Sequence, residues 1–253
     1  MISFKKLCAG VLVFSTILWS CKGLNGKDGP IGPSLTGNIL GEVAAFGEFG
    51  DVLRRDGISV SIDSSTPPIS VVTDSTGRYE FKNVGTGTYN LTYSKPDFGT
   101  MKKMGLQHIG GNAPTYVTSL GLYKNSTSII TGLEASISTG LVKIAGTVTS
   151  SQRISYPIVR IFFGKKSTVT SRNYDFSYVT IATAGKFGFS VDSLALQLAS
   201  FVSGNTLYMT AYADICADNG PPLPNWYLDI YSGTYVFPDL NLSGTARTTL
   251  VVP

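Results

Sequence analysis

From Asn38 onward, apolar and polar residues alternate along the chain. Ile58, Val60 and Ile62 are separated by Ser59 and Ser61, and Tyr79 and Phe81 are flanked by Arg78 and Glu80. Tyr89, Leu91 and Tyr93 are separated by Asn90 and Thr92. A period of two sends one set of side chains to a core and the other to water, which predicts strands. Thr73-Asp74-Ser75-Thr76-Gly77 lies between two of these runs and reads as a tight hairpin connection. Asp74 can accept from the amides that follow it, and Gly77 can take the positive φ such turns require. No segment after the first 20 residues shows a sustained helical period with caps; the best helical candidate is Asp192 to Phe201. The pattern predicts an all-β protein.

The pattern recurs. Gly41-Glu42-Val43, Gly57 to Ile62 and Thr73 to Phe81 have counterparts in Gly146-Thr147-Val148, Pro157 to Phe163 and Thr183 to Phe189. The offset is 105 at the first glycine and 108 at Gly77 and Gly185. Tyr89 to Tyr93 is echoed by Tyr208 to Tyr212. Two tandem domains of one architecture, meeting near Thr139-Gly140, explain this more simply than one large sheet. Two repeats are too few for a solenoid.

Thr73-Asp74-x-x-Gly77-x-Tyr79-x-Phe81-x-x-Val84-x-x-Gly87-x-Tyr89-x-Leu91 resembles the carboxypeptidase regulatory-like domains. The resemblance implies a transthyretin-like Greek-key β-sandwich over 37–139 and carries no peptidase activity, because the matching positions are turn and core residues. The match of 140–253 is weaker, with Ala184 in place of Asp74. A second Ig-like β-sandwich is expected there.

The first residues follow another pattern. Lys5 and Lys6 precede a 13-residue apolar run, Leu7 to Trp19, which is short of the roughly 20 residues needed to span a bilayer. Leu18-Trp19-Ser20-Cys21 resembles a bacterial lipobox, which implies a signal peptide over 1–20 and acylation of Cys21. Residues 21–36 contain Gly26, Gly29 and Gly32 with Pro30 and Pro33 and read as a flexible tether, too short for a collagen helix. With the predicted sandwiches, this layout resembles outer-membrane lipoproteins of Bacteroidota-type bacteria, on the periplasmic or surface face.

Charge and cysteine content narrow the function. Removing the leader takes Lys5 and Lys6 from 20 basic residues and leaves all 16 acidic ones, a balance that excludes a nucleic-acid stripe. Cys8 leaves with the leader and Cys21 takes lipid, so Cys216 has no partner for a disulfide. His108 is the only histidine, in a glycine-flanked stretch that reads as a loop where it is solvated or a single hydrogen-bond partner, and no G-x-S-x-G, phosphate loop or H-E-x-x-H occurs. We expect no enzyme, no cofactor and no metal site. Asp214, Asp218 and Asn219 match no EF-hand spacing. The richest candidate surface is the connection from Asp214 to Tyr235: its Trp226, Tyr227 and Tyr231 either offer flat faces for a glycan or protein partner or, in the case of Trp226 and Tyr231, simply cap an open end of the sandwich. The alternative is a fimbrial or adhesin subunit that assembles by exchanging the terminal strand, Thr245 to Val252.

Overall fold

The computed structural model describes residues 35–63, 65, 67–150, 157–215, 223–243 and 245–252. The leader, Cys21 and all of the tether but Leu35 and Thr36 therefore lie outside the described residues, as do Cys216, Asp218 and Asn219. Among the described residues no helix is long and apolar enough to cross a membrane.

The first half supplies β1 (Thr36–Phe46), β2 (Val52–Leu53), β3 (Ser59–Ile62), β4 (Ile69–Val72), β5 (Arg78–Gly85), β6 (Gly87–Ser94), β7 (Met101–His108), β8 (Thr115–Tyr116) and β9 (Leu120–Tyr123). One sheet is built on β1, which pairs antiparallel with β2 and β5 and parallel with β8 and β9. The other runs β4-β3-β6-β7. The inward set of the alternation, including Ile58, Val60, Ile62, Phe81, Leu91 and Tyr93, forms the core between them.

The second half supplies β10 (Ile129–Ser138), β11 (Leu141–Thr149), β12 (Ile158–Gly164), β13 (Phe176–Ile181), β14 (Lys186–Val191), α1 (Ser193–Leu198), β15 (Thr206–Ala213), β16 (Tyr227–Asp229), β17 (Thr234–Val236) and β18 (Ala246–Val251). Sheets β10-β11-β14 and β13-β12-β15-β18 enclose a separate core containing Ile144, Val159, Ile161, Phe187 and Met209. The fold is all-β, two Greek-key β-sandwiches in tandem. Among the described residues helix is confined to α1, where the Asp192 carboxylate accepts from the Ala195 amide at 2.7 Å and caps the first turn.

The sequence repeat has a structural basis. Pairings β1–β5, β3–β4, β3–β6 and β6–β7 recur as β11–β14, β12–β13, β12–β15 and β15–β18. Gly41 lies opposite Tyr79 and Gly146 opposite Phe187, and each glycine leaves room for the ring folded over it. The turn equivalence is equally close: the Gly77 carbonyl accepts from Val43 N–H at 2.9 Å, and the Gly185 carbonyl from Val148 N–H at 2.9 Å. The halves differ in their third strand, which is parallel β8 and β9 beside β1 but antiparallel β10 beside β11.

One expectation is corrected. The turn at 73–77 has the chemistry anticipated, with the Asp74 carboxylate accepting from the Thr76 and Arg78 amides at 2.8 and 3.0 Å and Gly77 at φ +86°. Yet β4 and β5 belong to opposite sheets, so it is a corner between layers and not a hairpin. Local turn chemistry is the same in both cases; which sheet each strand joins depends on distant partners.

Candidate functional site

The described parts of the connection after β15, 214–215 and 223–243, form a strap tied to both sandwiches. It begins at Asp214, which is 3% exposed and receives two contacts of 2.8 Å from the Arg160 guanidinium. That guanidinium in turn stacks on Phe237 at 3.7 Å. The Asp214 carboxylate thus ties the strap to β12; among the described residues no group of three or more potential metal ligands is found. At Leu223 the strap meets the first sandwich, where the Tyr123 hydroxyl donates to the Leu223 carbonyl at 2.8 Å and accepts from its amide at 3.1 Å. Ile215 and Leu223 pack with Ala44, Phe46 and Tyr123 in a small apolar cluster. The strap then forms the β16–β17 hairpin and returns as Phe237 and Leu240 over Phe162 on the outer face of β12. This explains why Ile161, Phe162 and Phe163 are all buried, since β12 is covered on both faces.

The hairpin lies beside β7, an edge strand of the first sandwich, and encloses a groove of about 340 Å³. One wall is residues 101–104 of β7, another is 118–120 leading into β9, and the third is Pro224, residues 226–228 and Ile230. Trp226 is 43% exposed and is braced edge-on by Tyr235 at 4.9 Å and 90°. Tyr227 is half-buried and packs against the first core; burial pushes its phenol pKa up. Tyr231 lies at the hairpin turn outside the groove lining and is 78% exposed. Its hydroxyl accepts from Asn90 Nδ2 at 2.9 Å, while Asn90 Oδ1 accepts from the Gly105 amide at 2.8 Å. The structure therefore brings Trp226 and Tyr227 together in the groove and places Tyr231 as an anchor of the hairpin tip.

Sequence reasoning did not find the first sandwich's share of the groove: Lys102, Lys103, Met104, Thr118 and Ser119. A signal was present in Gly105, a glycine inside a strand and a common mark of a bulge. The register of β6 against β7 does shift between Tyr89 and Leu91. A second groove of about 450 Å³ lies at Leu40–Glu42, Arg78–Tyr79 and Tyr116–Ser119. There Glu42 is already paired with Arg55 at 2.8 Å, and the one strongly exposed aromatic is Tyr116.

His108 also differs from expectation. It closes β7, is 1% exposed and is held on both ring nitrogens, by Thr115 Oγ1 at 2.7 Å and the Val84 carbonyl at 3.0 Å. A carbonyl only accepts, so Nε2 carries a proton and donates it to Val84. The flanking glycines suggested a loop, but Gly87 and Tyr89 of β6 pair with His108 and Leu106 and extend the strand to the histidine.

No protein-family profile matches the chain, and no curated relative matches it. The carboxypeptidase regulatory-like resemblance is thus supported as far as a β-sandwich. Among solved structures, a proposed carbohydrate-binding protein from Bacteroides uniformis aligns over 85% of this chain and 100% of its own, at 12% identity and TM-score 0.31. A DUF3823 family protein from Parabacteroides merdae aligns over 85% and 99%, at 14% identity and TM-score 0.31. A DUF3823 family protein from Bacteroides ovatus aligns over 71% and 90%, at 10% identity and TM-score 0.28. These superpositions are too loose to carry a functional comparison.

Proposed function

We propose that this chain is a non-enzymatic lipoprotein of the outer membrane, held there by acylated Cys21, that binds a glycan in the groove beside Trp226. The observation that carries the reading is the half-exposed Trp226, braced by Tyr235 in a groove whose other walls offer hydroxyls and lysines. A saccharide ring presents apolar C–H faces and a rim of hydroxyls, so a rigid aromatic plane beside polar groups is its physical complement. Calorimetric titration against an oligosaccharide panel tests it. Trp226→Ala is expected to weaken binding by about tenfold, the equivalent of 1.4 kcal/mol, while Tyr231→Ala, outside the groove, changes it little. Binding that is indifferent to Trp226 would remove the groove from the account.

A second reading is a subunit that assembles by strand exchange. It is favoured by β18, which among the described strands lies at a sheet edge and pairs with β15 alone. A polymer isolated after proteolytic trimming, in place of a monomer, would establish it.

A further inference from the structure

The charge within the groove is one-sided. Its lining includes Lys102 and Lys103 and no acidic residue. The two lysines are adjacent on β7 and so point to opposite faces of the sheet. Lys102 lies opposite Thr92 on the outer face, where its ammonium meets Asp63 at 2.8 Å and Thr92 donates to the same carboxylate at 2.5 Å. Lys103 lies opposite Leu91, which is fully buried, and so occupies the core-facing side of the strand. Its half-buried side chain runs along that face and lines the groove, and among the described residues its ammonium has no hydrogen-bond or ion-pair partner.

A half-buried cation facing an aromatic-lined groove, with no counter-ion among the described residues, favours an anionic occupant, because the ligand's charge would be met by a group already partly desolvated. Resting on the glycan reading above, we propose that the groove selects acidic saccharides, with Lys103 holding the anionic substituent while Trp226 stacks on the ring that bears it. Lys102 is largely neutralised by Asp63 and sets the polarity of the rim. The competing account is that Lys103 is an inward-pointing charge that protects an edge strand from pairing with other chains.

A glycan array carrying uronic-acid oligosaccharides of several backbones, each beside its methyl ester, separates these possibilities. Esterification removes the charge and leaves the ring unchanged. The wild-type protein is expected to bind at least one acid about tenfold more tightly than its ester, and the preference should shrink as salt rises. Lys103→Met keeps the aliphatic stem and should abolish the preference while retaining the weaker binding of the ester; Lys102→Met should preserve most of it. Equal binding of acid and ester, or a preference that survives Lys103→Met, would overturn the proposal and leave the glycan reading standing. Failure to bind any saccharide, or binding of an acidic peptide alone, would overturn both. If Lys103→Met leaves binding unaltered and causes the protein to self-associate, edge protection is the role of this lysine.

Discussion

The buried carboxyl of Asp239 provides a sharp test of how the strap is held. Asp239 is 1% exposed, lies against Gly99 of the first sandwich, and has one carboxyl oxygen without a hydrogen-bond partner. Its own carbonyl accepts from the Ser126 amide at 2.8 Å, so it sits where strap and first sandwich are joined. Burial, and secondarily the charge of Asp214, push its pKa up to about 9. The folded protein therefore keeps a proton that the unfolded chain releases near pH 4. Stability is then fully present below about pH 4 and declines as pH rises toward 9, beyond which both states are ionised. The limiting slope is about 1.4 kcal/mol per pH unit. From pH 5 to 8 that amounts to about 4 kcal/mol, and to about half as much once local relaxation and water entry are allowed for. At 2–4 °C per kcal/mol for a chain of this size, the smaller figure corresponds to about 4–8 °C in Tm. Asp239→Asn keeps the shape and cannot ionise. Scanning calorimetry at pH 5, 6, 7 and 8 should show the wild-type Tm falling by that amount relative to the variant, with the variant the more stable at pH 8. Parallel pH profiles, or a variant less stable at pH 8, would refute the assignment of a neutral buried acid.

Two further outcomes are expected. Arg160→Met should cost about 3–5 kcal/mol, because it leaves the Asp214 carboxylate, 3% exposed, without its cation; denaturant unfolding measures this, and a loss below about 1 kcal/mol would mean that the pair does not hold the strap. Cys21→Ser should shift the protein from the membrane fraction to the soluble fraction on cell fractionation, and continued membrane association would place the anchor elsewhere.

Much of the fold is local in origin and was legible from the chain. Alternation assigned the core faces of β3, β5 and β6 because side chains in a strand must alternate whatever the strand pairs with. Asp192 marked the start of α1 because capping involves only neighbouring residues. The spacing of Gly41, Gly77 and Tyr79 recurred at Gly146, Gly185 and Phe187 because each set meets one requirement, a glycine beneath an aromatic ring beside a turn with positive φ. The aromatic cluster in the connection was visible as a candidate for the same reason that it is useful: exposed Trp and Tyr are large apolar surfaces.

The groove itself was not legible. Trp226 and Lys103 are 123 positions apart, and nothing in either segment encodes the other. Their proximity depends on Tyr123 gripping Leu223 and Asn90 gripping Tyr231, contacts that exist only after both sandwiches have formed. The same applies to the corner at 73–77, the burial of His108 and the unpaired acid of Asp239. The chain by itself thus determined which residues form strands, where they turn and which faces are apolar, since these follow from torsions and from a period of two. Only the tertiary structure decided which strands share a sheet, where the strap docks and which charges are left without partners, because burial and pairing are relations between residues that are distant in sequence.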